Sequence, residues 1–206
     1  MASILILVVP FLPECQIAPG LLIENLKSRC SLQIPCVYYY FDFSNPQKQK
    51  VFNLLSSFLA QLSNSSIPLE VHRLYENCNH GNRDPTMAQL IDTFLSIIDK
   101  TKQTYIIIDA LDESSKSDRQ SLFEVITTLQ THDKINLLMT SRQESDIQNK
   151  LQDLMDYVVP IENEKVDDDI NMHVEKCLQN DPILSKWNID LKLKISSTLT
   201  SKAHGM

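Results

Sequence analysis

Short uncharged runs alternate along this chain with longer stretches whose apolar residues recur every three to four positions. The runs are ILILVV at 4–9, the apolar and aromatic segment within 35–43, YIII at 105–108 and INLLMT at 135–140. They are rich in β-branched, aromatic and other large apolar residues, and polar or turn-forming residues bound them. Each therefore predicts a strand buried on both faces. YVVPI at 157–161 predicts a last strand. The periodic stretches predict amphipathic helices. Val51, Leu54, Leu55, Phe58, Leu59 and Leu62 form one stripe; Met87, Leu90, Ile91, Phe94, Leu95 and Ile98 a second; Leu122, Phe123, Ile126 and Leu129 a third. Stripes of this width are core faces turned to a sheet. Strands that alternate with helices call for right-handed crossovers, so the expected fold is α/β: a three-layer αβα arrangement around a mainly parallel sheet.

Local signals refine the boundaries. Asn45-Pro46 opens a helix that runs to 62, and Thr86 with Gln89 forms a capping-box pattern before the next. Residues 63–85 are a polar loop holding one short helix at 69–75, with His72, Arg73 and His80 solvated. Residues 114–118 are a polar turn and 144–151 a short helix. Residues 166–178 read as a helix with acids at its start, which suits the helix dipole. Residues 183–206 fit a strand by the alternation of IDLKLKI, or a helix by Leu191, Ile195 and Leu199.

Composition narrows the class. With 206 residues, 43% hydrophobic and 22% charged, the chain reads as one soluble domain with a small appendage. A net charge of −7 argues against nucleic acid or an anionic membrane as the main partner. The run at 4–9 has no Lys or Arg before it and no cleavage site after it, and it is too short to span a bilayer. The five cysteines are scattered without a CxxC pair, which fits reduced thiols in the cytoplasm. Cys78 and His80 lie close, but one pair does not make a zinc site.

Glycine changes the picture. There are 3 in 206 residues, where average usage would give about 14. Residues 10–20, PFLPECQIAPG, lie between a strand and a helix, where a phosphate-binding loop G-x-x-x-x-G-K-[ST] would sit. That loop needs backbone N–H groups turned onto phosphates and a Lys for the terminal ones. This segment has one glycine and three prolines, which carry no N–H. The first lysine is Lys27, and Glu14 adds negative charge.

The candidate chemistry is acidic. The strand at 105–108 ends in Asp109, followed by Asp112 and Glu113. Open α/β sheets bind ligands at the carboxyl ends of their strands. A carboxylate there can hold magnesium, and a second can orient an attacking water; the same acids could equally end the strand and cap a helix. Thr140 and Arg142 close the next strand, where they could reach a terminal phosphate. Arg142 could instead pair with Glu144 or Asp146. A metal-dependent hydrolase built on these acids would need further ligands such as histidine; His132, at a helix end, reads as surface.

Several motifs carry a family resemblance. TYIIIDALDE at 104–113 resembles the Walker B segment of NACHT-type P-loop NTPases, and LLMTSRQE at 137–144 is similar to their sensor strand. YYYFDFSNPQKQKVFNLLSSFLAQL at 38–62 and LTSKAHGM at 199–206 resemble fungal NACHT proteins, including those with a nephrocystin-type NTPase domain. The likeness covers residues 20–206, and 21–29 resemble the helix that follows the P-loop. It implies a sheet of P-loop NTPase type with a short helical C-terminal extension. It also implies ATP and magnesium as cofactors, with Asp109 on the metal, Asp112 and Glu113 acting on water, and Arg142 with Thr140 at the nucleotide. Residues 1–20 then stand as an atypical strand and loop in place of the P-loop, 21–162 as the NTPase core, and 163–206 as the start of a helical extension cut short. In that family ATP lets the domain assemble with its copies, so a homo-oligomer is implied, along with other domains or repeats of a larger signalling protein. The expectation is a degenerate or partial module of this signal-transduction (STAND) class that handles nucleotide poorly. The alternatives are a working ATP switch and a non-enzymatic scaffold.

Overall fold

The computed structural model describes residues 3–8, 30–154, 156–160, 174–181 and 184–203. Its strands are β1 (Ser3–Val8), β2 (Cys36–Tyr40), β3 (Thr104–Asp109), β4 (Ile135–Ser141) and β5 (Tyr157–Pro160). They form one five-stranded sheet in the order β2-β3-β4-β1-β5, and every neighbouring pair is parallel. The helices are α1 (Val51–Leu62), α2 (Leu69–Asn77), α3 (Met87–Ile98), α4 (Arg119–Gln130), α5 (Ser145–Leu151) and α6 (Ile189–Ala203). Residues 174–180 are also helical. The α/β fold class and its parallel sheet are those expected from the alternating pattern. The loop at 10–20, the helix at 21–29 and most of the helix at 166–178 lie outside the described residues.

The chain passes from β2 to β3 to β4 in one direction across the sheet. Right-handed crossovers place the helices of these connections on one face, and the core shows it. Register sets Ile106 between Val37 and Leu137, and Ile108 between Tyr39 and Met139. These six residues join one buried cluster with the apolar faces of α1, α3, α4 and α5. Phe58 of α1 and Phe94 of α3 meet at its centre, their ring centroids 5.5 Å apart. The Thr86–Gln89 capping box forms as the sequence predicts.

Two boundaries differ. The helix predicted from 45 to 62 is split into a 3₁₀ turn (Pro46–Gln49), capped by the Asn45 side chain, and α1, with Lys50 extended between them. The Gln49 carbonyl accepts the Ser115 N–H at 3.1 Å, so it is spent on a tertiary contact instead of the next helical turn. At the C-terminal end the helical alternative prevails. Asn188 caps α6 by accepting the Leu191 N–H at 2.7 Å, and Ile189 and Leu193 stay exposed. No described helix is long and apolar enough to cross a membrane.

One polar atom in the core is unmatched. The Tyr39 hydroxyl is buried and has no hydrogen-bond partner among the described residues, and burial pushes its pKa up to about 12. A buried hydroxyl without a partner costs about 1–3 kcal/mol. Tyr39→Phe keeps the edge-on ring contact with Phe41, at 5.1 Å, and removes that cost. A gain of about 1 kcal/mol in unfolding free energy is expected from denaturant titration; a loss of that size would reveal a partner for the hydroxyl.

Candidate functional site at the carboxyl ends of β3 and β4

β3 stays apolar until the sheet ends, and its first polar side chain there is Asp109, 4% exposed. Ala110 then turns left-handed, with φ 56°. The chain doubles back through a 3₁₀ turn, Leu111–Glu113. Ser114 closes that turn: its N–H and its hydroxyl both donate to the Leu111 carbonyl, at 3.1 and 2.6 Å. This reversal sets Asp112 and Glu113 over the strand end, beside the tip of β4.

Each of the predicted site residues has a protein partner. The Thr140 hydroxyl donates to Asp109 Oδ1 and accepts the Ala110 N–H at 2.9 Å. Burial raises the Asp109 pKa, against the opposing pull of Thr140 and Ala110, and the nearby Asp112 charge pushes the same way as burial. The Asp112 side chain is 2% exposed and ion-paired with Arg142. Its Oδ1 accepts the Arg142 backbone N–H at 2.8 Å, and its Oδ2 accepts from Arg142 Nε. Glu113 turns the other way and accepts the Phe43 N–H on Oε2 at 3.0 Å. Burial raises its pKa too; the Phe43 bond opposes that, and Asp112 adds to it. All five residues therefore meet at one corner of the sheet, as three separate pairings: Asp109 with Thr140, Asp112 with Arg142, and Glu113 with the Phe43 N–H in the loop after β2.

The sequence misplaces one partnership and misses one residue. Glu144 and Asp146 do not pair with Arg142; both accept from Arg119 Nη1. Arg119 is the first residue of α4, and its side chain is 5% exposed. Its Nη2 donates to the Asp112 carbonyl. It thus binds the acid turn after β3 to the segment after β4. An arginine at the start of a predicted amphipathic helix looks like solvated surface, and its acidic partners are 25 and 27 residues away in sequence. No local pattern could have joined them.

The other candidates lie elsewhere. His132 is not a plain surface residue: it is half-buried at the opposite end of the sheet. Its Nε2 lies 3.1 Å from Asp99, and its Nδ1 accepts the Lys134 N–H at 3.4 Å. Cys78 is buried while His80 is exposed. No group of three or more His, Cys, Asp or Glu is placed to hold a metal ion among the described residues.

No curated protein matches the sequence. Among solved structures the fold is similar to one of Drosophila ORC bound to AT-rich DNA and Cdc6, with 14% identity and a TM-score of 0.48 over 98% of this chain and 76% of that one. It is also similar to one of C. elegans PCH-2, with 14% identity and a TM-score of 0.35 over 92% and 56%. Likeness this distant adds nothing to the topology already described. The family model for the N-terminal region of nephrocystin 3 matches residues 20–142. That match runs through β2, the acid turn and the tip of β4, and by it the chain belongs to the nephrocystin 3 N-terminal family.

Proposed function

We propose that this chain is a degenerate NACHT-type module of a signal-transduction protein, one that serves in assembly and handles ATP weakly or not at all. The observation that carries the reading is the Asp112–Arg142 ion pair. Arg142 is the cation that the family resemblance assigns to the terminal phosphate, and a buried carboxylate already neutralises it. To reach a ligand it would leave that carboxylate buried and unpaired, which costs several kcal/mol.

Magnesium and ATP fit these residues poorly. Asp109, Asp112 and Glu113 gather negative charge at the corner, and residues 10–20 contain no lysine and three prolines, which carry no N–H. A close like-charge pair costs about 4 kcal/mol at an effective dielectric near 20. In this reading Arg119, Thr140 and the Phe43 N–H hold the acid turn in shape, and the turn is a structural joint between β2, β3 and β4.

A working switch is the second reading, and the cost of burying charge on Asp109 favours it. A carboxylate kept where burial disfavours its ionised form is a common mark of a functional position.

Titration calorimetry with ATP and magnesium separates the two. The degenerate module gives no saturable binding tighter than about 1 mM, and micromolar affinity overturns it. Glu113→Gln keeps an acceptor for the Phe43 N–H, so it leaves oligomeric state and nucleotide response unchanged in a scaffold and alters them in a switch; sedimentation with and without ATP reads the difference. Asp109→Asn tests the stored cost by thermal melting. The folded-state pKa of Asp109 is raised, so the wild type loses stability as pH climbs through it. The Asn variant is therefore expected to melt higher than the wild type at neutral pH, with the gain vanishing in acid. A lower melting temperature at neutral pH would show the charge to be stabilising.

A further inference from the structure

The amino ends of β3 and β4, at the opposite end of the sheet from the acid corner, carry a second polar cluster built around His132. The residue follows α4, and its side chain is 15% exposed. Its backbone is pinned on both sides: the N–H donates to the Leu129 carbonyl at 3.2 Å, and the carbonyl accepts the Ile135 N–H at 3.1 Å. Nδ1 accepts the Lys134 N–H at 3.4 Å. A ring nitrogen that accepts carries no proton, so the neutral ring holds its proton on Nε2. Nε2 then donates to Asp99 Oδ1 at 3.1 Å, and Asp99 is the C-cap of α3. The ring therefore joins the end of α3 to the turn that feeds β4. The peptide it holds also serves the sheet: the Lys134 carbonyl accepts the Thr104 N–H at 2.7 Å, beside the first paired residues of β3 and β4.

Both ring nitrogens become donors once the imidazole is charged. Nδ1–H would then face the Lys134 N–H, donor against donor, and that bond is lost. The charged groups facing the ring are Asp99 from the end of α3, and Asp133 and Lys134 from the turn before β4. Asp99 accepts from Nε2 in either state. Lys134 gives its ammonium to the Asp99 carbonyl, and Lys100 gives its own to Glu70 of α2. Asp133 is the acceptor that remains: its Oδ1 lies 3.9 Å from Nδ1, and its side chain is 84% exposed. An exposed side chain can close that gap while the His132 backbone stays where it is.

We propose that His132 is a one-proton switch at the amino end of the sheet: neutral, it accepts the Lys134 N–H on Nδ1; charged, it releases that N–H and donates to Asp133. The test is NMR of the folded wild-type chain across about pH 5 to 8, where histidine charge changes. At the alkaline end the ring nitrogens are expected to show a proton on Nε2 and none on Nδ1. As the pH falls, the Lys134 amide proton is expected to move upfield on the same curve as the His132 ring protons. Its protection from exchange, corrected for the intrinsic effect of pH, is expected to drop severalfold. His132→Asn offers a side-chain oxygen in place of Nδ1 that accepts at every pH, so the Lys134 curve is expected to become flat. A neutral ring protonated on Nδ1, a Lys134 amide that ignores the His132 titration, or a folded Asn variant that keeps the curve overturns the proposal. If the Asn variant fails to fold, the wild-type ring and amide signals decide alone.

Discussion

β3 lies between two strands and under two helices' worth of side chains, and the rest of the structure follows from keeping it dry. Ile106, Ile107 and Ile108 are almost wholly removed from water, so no polar side chain can interrupt the strand along that stretch. Its polar content is pushed to the ends. At the amino end, Thr104 and Thr101 share one hydrogen bond at 3.1 Å. At the carboxyl end the load is heavier: a buried aspartate, a reversed turn and two further acids. What happens at that corner is the consequence of a strand with nowhere else to place a charge.

A corner with that much negative charge holds together only if each acid is answered. Arg142 answers Asp112, the Thr140 hydroxyl answers Asp109, and the Phe43 N–H in the loop after β2 answers Glu113. Arg119 then draws in Glu144 and Asp146 and fastens the turn through the Asp112 carbonyl. The two arginines work on different layers. One neutralises the carboxylate inside the corner, and the other ties the loops around it.

Much of the architecture was legible because it rests on periodicity. The five runs became strands, the three stripes became buried helix faces, and Thr86 with Gln89 formed the expected cap. The failures share a cause. Lys50 breaks a helix because the Gln49 carbonyl is taken by Ser115, a partner far along the chain. Arg119 is buried because acids from another loop surround it, and Gln61 turns to a strand edge 23 residues away. Local pattern says which face of an element is apolar; it does not say which distant polar group will claim a side chain. The site was legible to the same degree: Asp109, Asp112, Glu113, Thr140 and Arg142 do converge, but their pairing had to come from geometry.

Ala110 is the one described residue that holds the acid turn in a left-handed conformation without being glycine or lying in the polar loop at 79–81. An alanine held there is strained by about 1 kcal/mol. Glycine would relieve that strain but leave a looser unfolded chain, an opposing effect of similar size. Drift between the two residues would be nearly silent in melting behaviour and would show itself as a change in how stiffly the mouth of the sheet is hinged.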